Sequence, residues 1–423
     1  MNKSRNWADT VVKRLGYIFL LICMIFSLSS CGKGEETGVS VEVPASTEND
    51  ITAEKLGIDN NVITIIDNES VEEEETETPE ESKTETNTVS GNEVSSVSEN
   101  EIDYSSVSPK DVTFDEEGNI IEENKVKKTE DGKVIVDLVM FMGQSNMSGT
   151  GGNAAYAPTV PEGHGYEFRA VSDPTRLYPI REPFGINENN IGGIMDYAVA
   201  KKGSLVSAFA NEYYKETGVP IVAVSASEGG TDTDFWLRQS TISDFSERQK
   251  RAQVWLESNN YYIRKQYVVW LQGESDALDN MTTEEYKQNM DNIIRPLFIG
   301  GVQKVYIITP GRMIESTNFY DPIINAQIEL CKNSGYYALA TTVLCAVSTE
   351  YMVDALHYNQ SVLNLVGKEA AKSAAYYTLN TKEMCLYDYK NKRTYIPDGF
   401  DYDDDIHVEP LNVNEDCGLT RYE

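Results

Sequence analysis

A serine, and a histidine with an aspartate beside it, are the residues of this chain best fitted to do chemistry. Ser145 stands in Gly143-Gln144-Ser145-Asn146, directly after an apolar run. A hydroxyl is a weak nucleophile until a base takes its proton, and histidine is the usual base. The chain has three histidines, His164, His357 and His407. His357 closes the stretch Asp354-Ala355-Leu356-His357. An aspartate three residues earlier on a short turn can reach Nδ1, fix the tautomer and stabilise the charged ring. By itself that spacing is also that of an ordinary surface turn. His164 lies in a Gly-rich stretch and reads as a loop histidine. His407 lies in an acidic tail and reads as inert.

These residues need elements that bring them together. Val134 to Met142 is apolar and rich in β-branched residues, and has the length of a strand buried on both faces. Ile221–Val224, Tyr267–Leu271, Val305–Thr309 and Ala338–Val347 read as further strands. Helical spacing recurs over Ser204–Thr217, Thr282–Phe298, Ile323–Asn333 and Ser361–Tyr377, with Thr282 or Thr283 as an N-cap. Strand, polar end, helix, repeated about five times, predicts an α/β fold. The expected architecture is a three-layer α/β/α sandwich around a central parallel five-stranded sheet. In such sheets ligands bind beyond the carboxyl ends of the strands, where Ser145 stands.

Around residues 133–379, the expected catalytic domain, the chain changes character. Residues 1–31 carry Lys3, Arg5, Lys13 and Arg14, then the apolar core Leu15–Leu28, then Leu28-Ser29-Ser30-Cys31. This is an export signal, too short for a comfortable membrane span. Its end resembles the lipobox of bacterial lipoproteins, in which the cysteine, here Cys31, carries the lipid. Ordinary secretion with a chance cysteine, or an uncleaved anchor, are the alternatives. A lipid anchor predicts the outer face of a bacterial cell membrane as the location. Residues 32–110 are Glu-, Thr- and Ser-rich and nearly free of aromatics, the composition of an acidic, disordered tether. They account for much of the net charge of −32 and argue against a nucleic-acid partner. Residues 111–132 read as a lead-in hairpin with a Gly-Asn turn, and 380–423 read as an appendage or tail. The six cysteines have no metal-type spacing, so neither a structural metal nor a cofactor is expected. Oligomeric state has no signal in the sequence.

Four motifs fall in order at the predicted sheet ends: GQSN at 143–146, EGGT at 228–231, WLQGESD at 270–276 and DALH at 354–357. As a set they resemble the SGNH hydrolase superfamily, whose sheet is flavodoxin-like. More closely they are similar to its branch of sialate O-acetylesterases and acetylxylan esterases of carbohydrate esterase family six, over about 134–377. The resemblance implies Ser145 as nucleophile, His357 as base and Asp354 as the acid that orients it. It implies the N–H groups of Ser145 and of Gly230, or of Gly229, as oxyanion donors. Where the wider superfamily has Gly-x-Asn, this chain has Gly273-Glu274-Ser275, so Gln272 becomes the candidate substitute donor. Glu274 is a second candidate for the acid role, or a carboxylate that caps a loop. Asn146 is a candidate to position the nucleophile loop or contact substrate. Arg312 is a candidate to bind substrate or to pair with Glu315. Trp236 and Trp270 are candidate stacking faces for a sugar, with core packing favoured for Trp270.

The activity so implied is removal of O-acetyl groups from an acetylated glycan through an acetyl-Ser145 intermediate, with no cofactor. Its rate should fall at mildly acid pH as the base histidine takes up a proton. The alternatives are a glycan-binding lipoprotein that keeps the fold without the reaction, and a lipid or acyl esterase of the same superfamily. Which sugar is acetylated cannot be read from the loops.

Overall fold

The apolar run forms strand β1 (Val134–Gly143), whose last eight residues are buried. The computed structural model describes residues 127–421, apart from 198 and 400–405. The predicted signal, Cys31, tether and hairpin turn at 118–119 lie outside the described residues. Strands β2 (Gly165–Phe168), β3 (Leu177–Pro179), β4 (Ile221–Ser227), β5 (Tyr261–Leu271), β6 (Lys304–Ile308) and β7 (Tyr337–Thr341) complete a seven-stranded sheet. Its order is β3-β2-β4-β1-β5-β6-β7. Every neighbouring pair is parallel except β2 with β3.

The five expected strands are β1, β4, β5, β6 and β7, so the five-stranded count falls two short. The additions, β2 and the edge strand β3, have four and three residues, too short for a periodic signal. The last predicted strand also stops early. It leaves the sheet at Thr341 and turns into a 3-10 segment, Val343–Cys345.

Helices cover both faces. They are α1 (Ser145–Ser148), α2 (Val206–Thr217), α3 (Thr233–Trp236), α4 (Gln239–Ser258), α5 (Glu274–Leu278), α6 (Thr283–Ile299), α7 (Asp321–Asn333) and α8 (Gln360–Asn380). Successive side chains of a strand point to opposite faces. Leu138, Met140 and Met142 of β1 accordingly pack with Phe245 of α4, Met290 of α6 and Ile324 of α7. Val139 and Phe141 pack with Phe209 of α2 and with Val362 and Val366 of α8. Both faces of the sheet are thus apolar, which is why its central strands read as continuous hydrophobic runs. Thr282 is the α6 cap, in a reciprocal capping box with Glu285.

The described part of 380–423 docks on the domain. A hairpin of β8 (Leu386–Asp388) and β9 (Arg393–Tyr395) buries Leu386 and Tyr395 in the core. Helix α9 (Val413–Asp416) follows. Asn414 accepts the Ser348 N–H at 2.8 Å, and the Thr420 carbonyl accepts from the Asn359 side chain at 2.9 Å. The chain end therefore buttresses the segment that carries His357.

Candidate active site

Strands β1 and β5 end side by side, with Gly143 opposite Leu271. Gly143 has φ +141°, and a Cβ there would lie 2.0 Å from the Leu271 carbonyl oxygen. Only glycine permits that approach. The chain then turns into α1, so Ser145 opens a helix at a strand tip, 9% exposed. Gln144 joins this turn to the one after β5. Its side-chain oxygen accepts from the N–H groups of Ser275 at 3.3 Å and Gly273 at 3.4 Å.

The second arm is the loop before α8. Asp354 Oδ2 lies 2.7 Å from His357 Nδ1, and Asp354 Oδ1 accepts the N–H groups of Leu356 and His357 at 2.9 Å each. The loop closes on itself where the Val353 N–H reaches the His357 carbonyl at 2.9 Å. Burial pushes the Asp354 carboxyl up, but the His357 ring and the two N–H groups outweigh it and hold it below the usual carboxylate range.

Asn146 joins the two arms. Its amide donates to the Leu356 carbonyl at 3.2 Å, and its oxygen accepts the Tyr358 N–H at 3.3 Å. The residues on either side of His357 are thus held by the neighbour of Ser145. Gly151, just beyond α1, packs so closely that a Cβ there would lie 2.8 Å from His357 Cβ. No hydrogen bond joins Ser145 Oγ to the His357 ring among the described residues. In unliganded enzymes such bonds are often long and tighten only with substrate. Asn146 also donates to Glu274 Oε1 at 2.8 Å, while Glu274 Oε2 is buried without a partner. Burial raises the Glu274 carboxyl, partly offset by the Asn146 hydrogen bond. Of the two candidate acids, Asp354 is the one bonded to the histidine ring.

The third arm is the turn after β4, Glu228 to Thr231. Gly229 backs onto Ser145: a Cβ on it would lie 3.5 Å from Ser145 Cβ. Its N–H is already donated, at 3.2 Å, to Asp196 Oδ1, which corrects its place among the free donors. Gly230, with φ +72°, faces open space. Among the described residues neither the Ser145 nor the Gly230 N–H has an acceptor.

Four expected contacts are placed differently. Gln272 is fully buried, and both its amide hydrogens are spent, on the Thr231 carbonyl at 3.0 Å and on Asp276, so it is not an oxyanion donor. Trp236 is fully buried against Trp270 and Phe245 and offers no stacking face. Its indole N–H donates to Thr231 Oγ1 at 3.2 Å, so it too holds the turn after β4. Trp270 packs in the core, as expected. Asn146 is 2% exposed and holds protein rather than facing a ligand. Arg312 donates to the Cys345 carbonyl at 2.7 Å and forms no ion pair with Glu315 among the described residues. His164 stacks on Tyr214 and precedes the start of β2, at the opposite end of the sheet from Ser145. His407 pairs with Glu409 at 2.9 Å.

Sequence reasoning missed Asp196 and Lys201, which lie in a connection without periodicity. Lys201 donates to Ser227 Oγ at 2.8 Å, and its ammonium lies 3.8 Å from Asp196. Burial brings that ammonium down to about 8, against the opposing pull of Asp196.

Several solved structures are similar to this chain. A protein of Arabidopsis thaliana matches at 23% identity and TM-score 0.41, over 57% of this chain and 98% of its own. A carbohydrate acetylesterase from Xanthomonas citri matches at 16% and 0.38, over 60% and 58%. An acetyl-xylooligosaccharide esterase mutant from Geobacillus matches at 10% and 0.32, over 58% and 95%. No curated protein matches. The family model described as carbohydrate esterase, sialic acid-specific acetylesterase matches residues 135–376, more than half of the 423 residues. The chain belongs to that family and is an ester hydrolase.

Proposed function

We propose that this hydrolase removes O-acetyl groups from carbohydrate through an acetyl-Ser145 intermediate. The observation that carries the reading is the 2.7 Å contact between Asp354 Oδ2 and His357 Nδ1. With Nδ1 committed to a carboxylate as donor, Nε2 is the basic nitrogen. His357 takes the Ser145 proton as Oγ attacks the acetyl carbonyl. The tetrahedral oxyanion is received by the N–H groups of Ser145 and Gly230. As the C–O bond to the sugar breaks, His357 returns its proton to the sugar oxygen. Water then gives its proton to His357, attacks the acetyl-enzyme and releases acetate, and the proton passes back to Ser145 Oγ. Asp354 positions His357. Glu274 acts through Asn146, which it holds by one hydrogen bond.

Hydrolysis of p-nitrophenyl acetate by wild type and by Ser145→Ala tests the reading. Equal, slow hydrolysis by the two would leave a binding protein. Faster cleavage of the octanoate than of the acetate would favour a lipid or acyl substrate. We further propose that the protein is exported and held by lipid at Cys31, a reading supported by residues 1–31 of the sequence.

A further inference from the structure

The segment that carries Met195 and Asp196 lies against the turn after β4, and two carboxylates cross between them in opposite directions. Glu228 Oε2 accepts the Met195 N–H at 2.6 Å, and Asp196 Oδ1 accepts the Gly229 N–H at 3.2 Å. Asp196 is itself gripped. Asn189 accepts its N–H at 3.0 Å and donates to its carbonyl at 2.8 Å. Its Oδ2, buried and without a hydrogen bond, faces the Lys201 ammonium. Lys201 in turn donates to the hydroxyl and carbonyl of Ser227, the last residue of β4. On the far side, Gln272 and Trp236 hold Thr231. The turn is thus fixed at 227, 228, 229 and 231. Its remaining residue, Gly230, sits at φ +72° and, lacking a Cβ, can leave that conformation easily unless its neighbours are pinned.

We propose that Asp196 and Glu228 are positioning residues for the ester hydrolysis, holding Gly229 so that the Gly230 N–H stays aimed at the oxyanion. An oxyanion donor lowers the barrier only if it is fixed before charge develops. Hydrogen bonds from N–H groups to carboxylates are the stronger kind, about twice a neutral pair. The carboxylates do not touch the substrate; they act through the backbone they grip. The inference rests on Ser145 being the nucleophile.

The test uses the full chain with Glu228→Ala, Asp196→Ala, Glu228→Gln and the Ser145→Ala control. It measures kcat and KM on p-nitrophenyl acetate, and inhibition by phenylboronic acid, which forms a tetrahedral adduct with an active serine. Both alanine variants should lose about 10- to 100-fold in kcat, less than the loss of a whole oxyanion donor, with KM within about threefold. Inhibition by the boronate should weaken by the same factor as kcat/KM. Glu228→Gln keeps an oxygen acceptor, and burial already raises the Glu228 carboxyl, so it should return to within about threefold of wild type. A merely structural contact would lower thermal stability without this matched loss. Unchanged kcat in Glu228→Ala, or a loss confined to KM with boronate inhibition unmoved, overturns the proposal. Should Asp196→Ala fail to fold, because Lys201 is left buried without its partner, Glu228→Ala decides. Activity surviving in Ser145→Ala would sink the nucleophile reading. An inactive Ser145→Ala beside a fully active Glu228→Ala sinks this inference alone.

Discussion

Asp354 bonds the His357 ring with one oxygen and two backbone N–H groups of its own loop with the other. Asp354→Asn keeps an oxygen for the N–H groups but presents an amide to the ring, favouring the wrong tautomer. It should lower kcat by about 10²- to 10⁴-fold with little change in melting temperature. Measured kcat and melting curves of the two proteins check this. Glu274 differs in sign. Its carboxyl is raised by burial, so the folded state holds its proton more tightly than the unfolded chain does. Its contribution is most favourable below the unfolded value and is lost as pH rises through the folded one. Glu274→Gln keeps an acceptor for Asn146 and removes the buried charge. It should melt higher than wild type at about pH 8, with the gap closing toward about pH 4, near the ordinary glutamate range. Melting curves across that range decide it; a constant or reversed gap would show that the carboxylate is not strained by burial.

At the scale of elements, the strands that build the site were legible and the connections between them were not. β1, β4, β6, β7 and the last five residues of β5 announce themselves because both faces are covered and most residues are apolar, whereas Tyr261–Gln266 of β5 carries Arg264, Lys265 and Gln266 and went unread. Helix α4 was missed because its buried stripe includes Thr241, Asp244, Arg248 and Gln249, which hide the periodicity. Asp244 and Arg248 pair there at 3.0 Å. Three of the four motifs fell at strand tips and DALH fell in the loop before α8, but residue type did not reveal where a side chain points. Gln272 and Trp236 stand within or beside those motifs, yet both turn inward to hold Thr231. Asp196 was unreadable because its partner Gly229 is distant in sequence and its loop has no pattern. The Gly143 turn is the element most open to test. Gly143→Ala must place a Cβ against the Leu271 carbonyl at a φ that L-residues avoid. It should cost about 2–4 kcal/mol in urea unfolding, with activity lost as the Ser145 turn shifts. Unfolding at the wild-type midpoint would show that the two strand ends can separate freely.

At the scale of the molecule, the acidic stretch over 32–110 separates Cys31 from the domain that carries the chemistry. Much of the net charge of −32 lies in that stretch, outside residues 135–376, which is why it said little about the reaction. If Cys31 carries lipid, Cys31→Ser expressed in a bacterium should move the protein from the membrane fraction to the soluble exported fraction, with kcat on p-nitrophenyl acetate unchanged. Retention in the membrane would point to an uncleaved anchor instead. The proposed reaction passes through one covalent bond, from Ser145 Oγ to the acetyl carbon. Acid-quenching the enzyme during turnover of an acetyl ester and mapping its peptides by mass spectrometry would find that bond directly. One acetyl group should appear on the peptide bearing Ser145, and none on the Ser145→Ala protein. Acetyl on another serine of the site, such as Ser148 or Ser227, or turnover that survives Ser145→Ala, would contradict it.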